Sequence, residues 1–119
     1  IPKFLKKITS QQPIYVYGDG NQTRDFIYVD DVVSANVLGL QLSSYNLFSV
    51  GTGIECSVNE LVNMIKTITK KNIDILNKPL PFGDALRSCA DNSKLIGFGW
   101  KTSTHIKKGL QLTWQAIAK

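Results

Sequence analysis

The stretch from Gly18 to Val32 constrains this chain more than any other. Gly18-Asp19-Gly20-Asn21 is turn chemistry, Asp25 to Val29 reads as a strand, and Asp30 or Asp31 stands where a helix cap belongs. Between turn and strand lies Arg24, one of two arginines among fourteen basic residues. A guanidinium offers a planar fork of donors that matches a phosphate, which an ammonium cannot do. Turn, cation, strand and helix start follow one another within fifteen residues. A loop built this way can hold a polyanion beside a sheet.

The flanking pattern alternates helix and strand. Phe4, Leu5 and Ile8 predict a short helix over 3–10, ended before Pro13, and Ile14-Tyr15-Val16-Tyr17 predicts a strand. The helix after Asp30 and Asp31 would present Val33, Val37 and Leu40 as its apolar face. Tyr45 to Val50 reads as a third strand, closed by Gly51-Thr52-Gly53. Ser57-Val58-Asn59-Glu60 is a capping box, in which serine and glutamate side chains each satisfy a free backbone N–H, and Leu61, Ile65 and Ile68 continue that helix. Ile73 to Leu76 reads as a fourth strand and Pro79 to Gly83 as a loop. Asp91-Asn92-Ser93 opens a short helix, and Ser103 or Thr104 caps a last one carrying Ile106, Leu110, Trp114 and Ile117. The alternation gives an α/β class.

Size sharpens that reading. The 119 residues, 43% of them hydrophobic, suffice for one domain with a modest core. Two strand–helix units, 25–42 and 45–70, would need parallel neighbours and covering helices over Ile27, Val29, Leu47 and Val50. So short a chain has little to cover them, and the expectation is a part of something larger. The start, Ile1, is expected to be a boundary within a longer protein. No apolar run approaches the roughly 20 residues that span a bilayer, and no signal peptide is visible. The net charge of +5 is spread over scattered lysines and reads as a solvated surface, without the aromatic motifs of a nucleic-acid stripe. Cys56 and Cys89 stand far apart with one histidine, His105, in the whole chain, so a structural zinc site lacks ligands and two free thiols of a reducing, cytoplasmic compartment are expected.

For chemistry, the absences are informative. The chain has no GxGxxG or GxxxxGK[ST] loop, no HExxH, no GxSxG and no tyrosine with a lysine four residues later. It carries no complete catalytic engine and no dinucleotide-binding fingerprint; Gly51-Thr52-Gly53 reads as a tight turn. What remains suits binding. Arg24 can meet a phosphate, or pair with Asp25, Asp30 or Asp84. Asp84, after Pro81-Phe82-Gly83, can accept hydrogen bonds from hydroxyls, or serve as a turn residue. Arg87 can reach the same ligand, or pair with Asp84 or Asp91. Tyr15 and Tyr17 alternate along one strand and share a face, where they can flank a planar base or pack in a core. His105 is expected only to decorate a helix start.

The order of these pieces resembles the extended short-chain dehydrogenase/reductase family, in particular its NAD-dependent nucleotide-sugar epimerases and dehydratases. The resembling residues are Pro13 to Gly20, Gln22 to Val32, Tyr45 to Gly53, Ser57 to Leu61, Gly83-Asp84, Ala90 to Leu95, Gly99-Trp100-Lys101 and Gly109-Leu110. They run through nearly the whole chain but match only the C-terminal third of such enzymes. The resemblance implies a fold, the C-terminal substrate-binding part of an extended Rossmann-type enzyme, spanning residues 1–119, with the N-terminal NAD-binding domain absent. It implies a function in the intact enzyme: NAD takes a hydride from the sugar, a keto intermediate forms, and an epimerase returns the hydride to the other face. UDP-hexose 4-epimerases are the nearest expectation, followed by 4,6-dehydratases and NADP-dependent reductases; a non-catalytic module for RNA or a protein partner is the alternative from another class.

Carried over by position, the resemblance assigns Arg24 to the diphosphate, Asp84 to the ribose, and the strand edge of Tyr15 and Tyr17 to the base. The family often has an arginine three residues before the Asp84 position, where this chain has Pro81. Arg87 is then the other arginine available for a second phosphate contact. No catalytic, cofactor-binding or metal-ligating residue is expected in this stretch. The expected partners are a UDP-sugar or related nucleotide sugar, the chain's own N-terminal domain and a homodimer mate, with no membrane.

Overall fold

A computed structural model describes residues 1–118. Five helices and four short strands follow in the order α1 (Pro2–Thr9), β1 (Ile14–Tyr17), β2 (Thr23–Arg24), α2 (Val29–Leu40), β3 (Cys56–Ser57), α3 (Val58–Thr69), β4 (Ile75–Lys78), α4 (Ser93–Gly97) and α5 (Ile106–Ile117). Strands β1 and β4 pair in parallel with Ile14 opposite Ile75 and Tyr17 opposite Lys78. Strands β2 and β3 pair antiparallel, Thr23 with Ser57 and Arg24 with Cys56.

The main core collects one side of each element around β1. Leu5 and Ile8 of α1, Ile14 and Val16 of β1, Leu61, Val62 and Ile65 of α3, Leu110 of α5, and Ile73 just before β4 are all buried together. Alternation along β1 buries Ile14 and Val16 and sends Tyr15 and Tyr17 outward. Helix α3 starts on the expected capping box: Glu60 N donates to Ser57 Oγ at 3.1 Å and Ser57 N to Glu60 Oε2 at 2.7 Å. It ends where Lys70 turns left-handed at φ 53°.

Three expectations are corrected. Residues 25–29 and 45–50 form no strand. Neither segment has a ladder partner among the described residues, and Val29 already belongs to α2. The β-rich composition of both segments finds nothing to pair with, and composition alone makes no sheet. Strand β4 begins two residues later than expected, at Ile75. Neither Ser103 nor Thr104 caps α5; the cap is His105, whose Nδ1 accepts from Lys107 N.

Helix α2 is turned over relative to expectation. No aspartate caps it: Tyr28 is the N-cap, and Asp30 and Asp31 lie in the first turn. Asp31, Ala35 and Leu38 face inward, and the valine side looks out, with Val33 52% and Leu40 86% exposed. The reason is Asp31. Its carboxylate, 1% exposed as a residue, accepts from Ser103 N at 2.8 Å, Ser103 Oγ at 2.7 Å and Thr104 N at 3.1 Å. Trp100 Nε1 adds a bond to Ser34 Oγ at 2.8 Å. Polar latching to residues 100–104 therefore sets the rotation of the helix, and a small second core of Ala35, Leu95 and Trp100 forms beneath it.

Asp25 performs a similar task one step earlier. It accepts from Thr52 N at 3.0 Å, Gly53 N at 2.9 Å and Ala90 N at 3.3 Å, tying three distant segments together. A Cβ on Gly51 would collide with Ala90 and Asp25, so only glycine fits there.

The result is extended, 50 × 36 × 17 Å, with a radius of gyration of 16.2 Å where a compact chain of this length has about 13.5 Å. Its accessible surface of 7895 Å² exceeds the roughly 6,400 Å² of a typical monomer this size. Cys56 is buried, Cys89 exposed, and both are free thiols. Among the described residues no helix is long and apolar enough to cross a membrane.

Candidate functional site

The Gly-rich turn is held rigidly from below by the start of α3. Gly18 and Gly20 take φ of +62° and +78°, values that suit glycine. Asn59 N donates to Gly20 O at 3.0 Å, and Asn59 Nδ2 to Asp19 O at 3.0 Å. Gln22, 8% exposed, reaches back to Tyr17 O at 2.7 Å. Val58 N closes onto Gln22 O at 3.1 Å. The chain leaving this clamp has no freedom to move Arg24 elsewhere.

A distant loop then comes alongside. Thr23 N donates to Leu86 O at 2.9 Å and Ser88 N to Thr23 O at 3.2 Å. That docking brings the loop after Gly83 to the arginine. Arg24 Nη1 donates to Thr23 O at 2.8 Å and Ala85 O at 2.7 Å, and Nη2 to Asp84 Oδ1 at 2.8 Å. A guanidinium has five N–H donors. Three are thus engaged, and the other two have no acceptor among the described residues, while the side chain stays 28% exposed.

These residues line one cleft. Phe4, Tyr15, Val16, Tyr17, Gln22, Arg24, Val58 and Asp84 enclose about 190 Å³. Four of the five side chains singled out in the sequence, Arg24, Asp84, Tyr15 and Tyr17, meet here. Arg87 does not. It forks Glu55 instead, with Nε to Oε1 at 3.1 Å and Nη2 to Oε2 at 2.6 Å, and Thr23 Oγ1 adds a bond to Glu55 Oε1 at 3.1 Å. The Arg87 hydrogen bonds, joined by Thr23's, hold the Glu55 carboxyl below its ordinary range against the opposing effect of burial. Neither Asp84 nor Asp91 is its partner.

Sequence reasoning missed Phe4, Gln22 and Val58 as walls, and Glu55 as the holder of Arg87. Phe4 and Val58 carry only the ordinary signal of core residues. Glu55 lies 32 positions from Arg87, and no local pattern joins them.

Two larger hollows adjoin each other at Phe26 and Ile106, about 270 and 330 Å³, and neither is lined by a lysine or arginine. Their linings carry no charged side chain beyond the imidazole of His105. A ligand of drug size is usually enclosed by about 300–1,000 Å³, so the Arg24 cleft covers part of such a molecule.

Gly51-Thr52-Gly53 supplies no phosphate cradle. Its free amides, Thr52 N and Gly53 N, are already taken by the Asp25 carboxylate. Burial pushes that carboxyl up, but the bonds from Thr52, Gly53 and Ala90 together hold it below its ordinary range. Gly51-Thr52-Gly53 therefore does not act as the glycine loop that cradles a dinucleotide pyrophosphate.

Known proteins place this geometry in context. Residues 1–51 match the family model for the NAD dependent epimerase/dehydratase family. A Methanocaldococcus jannaschii protein, provisionally named a UDP-glucose 4-epimerase, is 39% identical over 91% of this chain and 35% of its own length. Human dTDP-D-glucose 4,6-dehydratase is 30% identical over 95% of the chain and 35% of its own length. The crystal structure of UDP-glucose 4-epimerase with UDP-glucose from Thermotoga maritima superposes with a TM-score of 0.92 at 32% identity, covering 98% of this chain and 38% of that one. The α/β fold is thus that of part of a Rossmann-type epimerase, and the chain spans about a third of the length of the curated relatives it matches.

Proposed function

The chain is related to the NAD-dependent epimerase/dehydratase family, and from that premise we propose that it is the part of such an enzyme that grips a nucleoside-diphosphate sugar, with UDP-hexose 4-epimerization the leading activity of the intact protein. One observation carries the reading. Arg24 is fixed by three acceptors on the wall of a cleft and still offers two N–H groups, next to a carboxylate suited to sugar hydroxyls and a strand edge bearing two tyrosines. Arg24 takes a phosphate of the ligand, Asp84 a ribose hydroxyl, and Tyr15 and Tyr17 lie toward the base.

The bond chemistry lies outside these residues. NAD supplies hydride transfer in enzymes of this kind; in this chain the amides of Gly51-Thr52-Gly53, held by Asp25, do not offer it a glycine loop. Residues 1–119 are the substrate-binding portion, and an N-terminal NAD-binding domain is the proposed partner for the exposed side of α2. The surplus of about 1,500 Å² of surface over a typical monomer, together with the outward Val29, Val33, Val37 and Leu40, supports a covering domain. A cytoplasmic location and a homodimer belong to the same proposal.

The test is calorimetric titration of the intact protein with UDP or UDP-glucose. Arg24→Ala is expected to weaken binding by about 1.5–3 kcal/mol, the range for a hydrogen bond to a charged group. Unchanged affinity in that variant rejects the cleft as the diphosphate site.

A further inference from the structure

Tyr15 is a wall of the Arg24 cleft, and its ring is held from two separate elements. Lys7 Nζ, from α1, lies 3.9 Å from the ring centroid, and Lys78 Nζ, from the end of β4, lies 3.8 Å from it. The negative face of an aromatic ring attracts an ammonium group. Neither lysine forms an ion pair with an acidic residue among the described residues, so no carboxylate competes with the ring for them. The elements that supply them are anchored in turn. Leu5 and Ile8 fix α1 in the main core, and β4 pairs with β1 while Gly18 N donates to Lys78 O at 2.7 Å. Swinging the Tyr15 ring aside therefore loses both cation contacts.

The neighbouring walls yield no more easily. Phe4 and Val58 pack against the main core, Val16 is buried within it, and Gln22 is tied to Tyr17 O at 2.7 Å. The space they enclose with Tyr15 is about 190 Å³, where ligand pockets usually begin near 300 Å³. Walls fixed in this way turn away added bulk, because overpacking forces side chains off their rotamers and shifts backbone.

We propose that Tyr15, held by Lys7 and Lys78, is a specificity-determining wall of this cleft, which admits a one-ring pyrimidine base and rejects the fused rings of a purine. The proposal rests on the nucleoside-diphosphate reading, in which Tyr15 and Tyr17 lie toward the base. It adds which base is taken and what enforces the choice. Lys7 and Lys78 touch no ligand in this scheme; they act through the ring and are positioning residues.

The test titrates the intact protein calorimetrically with UDP and GDP, which share the diphosphate and differ in the base. Wild type is expected to prefer UDP by roughly tenfold or more, the scale on which an unyielding wall penalises added bulk. Tyr15→Ala opens the wall and is expected to narrow the preference to within about threefold, chiefly by gaining affinity for GDP. Tyr15→Phe keeps the ring and is expected to keep the preference. Lys7→Gln/Lys78→Gln releases the ring and is expected to fall between wild type and Tyr15→Ala. General damage to the fold lowers both affinities alike, so an unchanged ratio in Tyr15→Ala overturns the proposal. Equal affinity of wild type for UDP and GDP overturns it as well, and a wild-type ratio in the lysine variant overturns the part given to the lysines. In each of these cases the Arg24 cleft still stands if Arg24→Ala weakens UDP binding. If wild-type protein binds UDP no better than uridine, the diphosphate reading itself fails and the base wall with it.

Discussion

Arg24 Nη2 donates to Asp84 Oδ1 at 2.8 Å across sixty residues of chain. The pair lies on the wall of a cleft, and the carboxylate engages one edge of the guanidinium while Thr23 O and Ala85 O fix another. Held this way, the fork is oriented before any ligand arrives, which reduces the ordering cost of binding. Arg24→Lys keeps the charge and loses the planar fork. It is expected to bind UDP roughly tenfold more weakly than wild type. Equal affinity in the lysine variant, measured by calorimetry, means that charge alone matters at this position.

Arg87 gives the contrasting prediction. Its side chain is 78% exposed and directs its donors to Glu55, away from the cleft lining. Arg87→Ala is expected to leave UDP affinity within about twofold, because an exposed ion pair outside a site contributes little. A loss as large as that of Arg24→Ala would place Arg87 in the ligand's path after all.

The contrast between these arginines shows how far sequence carries. Arg24 was legible because the turn that presents it is written locally, in a strand followed by two glycines at positive φ, although its acceptors Asp84 and Ala85 come from 60 and 61 residues away. Asp84 and the two tyrosines were legible through residue chemistry and family resemblance. The partner of Arg87 was not, since Glu55 is remote in sequence and pairs with it only because the 84–88 loop docks on Thr23. Helix α2 failed for a related reason. Its valines read as a core face, but the buried Asp31 and its three donors from Ser103 and Thr104 turn that face outward. The segments 25–29 and 45–50 have strand composition and no strand to pair with among the described residues.

Asp31 also dictates a pH dependence. Burial pushes its carboxyl up, yet the bonds from Ser103 Oγ, Ser103 N and Thr104 N outweigh that and hold it below the ordinary range. Asp25 behaves alike. Below the ordinary carboxylate value of about 3.9, the unfolded chain binds protons that the folded chain refuses. Stability from both groups is therefore complete above that value and declines as pH falls toward the depressed folded values. Urea midpoints are expected to be flat between about pH 6 and 5 and to drop below about 4. Asp31→Ala, which leaves the partly buried donors of Ser103 and Thr104 without an acceptor, is expected to cost about 1–3 kcal/mol at neutral pH and to make the acid decline shallower. A variant with an unaltered acid profile would exclude Asp31 as a source of it.

Gly20 tests the clamp beneath the site. It holds φ at +78°, and a Cβ there would run into the Asn59 side chain. Gly20→Ala is expected to destabilise the fold by about 1–3 kcal/mol through backbone strain and to weaken UDP binding by displacing the turn ahead of Arg24. Gly83, also at positive φ but with open space around it, should lose stability to alanine without that steric part. If the two alanine variants melt together, the Asn59 collision is relieved at no cost.

The outward side of α2 makes the last prediction. Val29, Val33, Val37 and Leu40 are 60%, 52%, 50% and 86% exposed, and they recur at helical spacing along one face. Such a stripe is costly to leave in water and is expected to drive association of the 119-residue chain at high concentration. Val33→Lys/Val37→Glu replaces its centre with an i, i+4 charge pair. Because these side chains touch little, the urea-derived stability should shift by no more than about 0.5 kcal/mol. Sedimentation velocity should nevertheless show a clear fall in the associated fraction. Association that persists unchanged in the variant would place the sticky surface elsewhere, on Tyr45 and Leu47 or on Phe82 and Leu86, which are exposed as well.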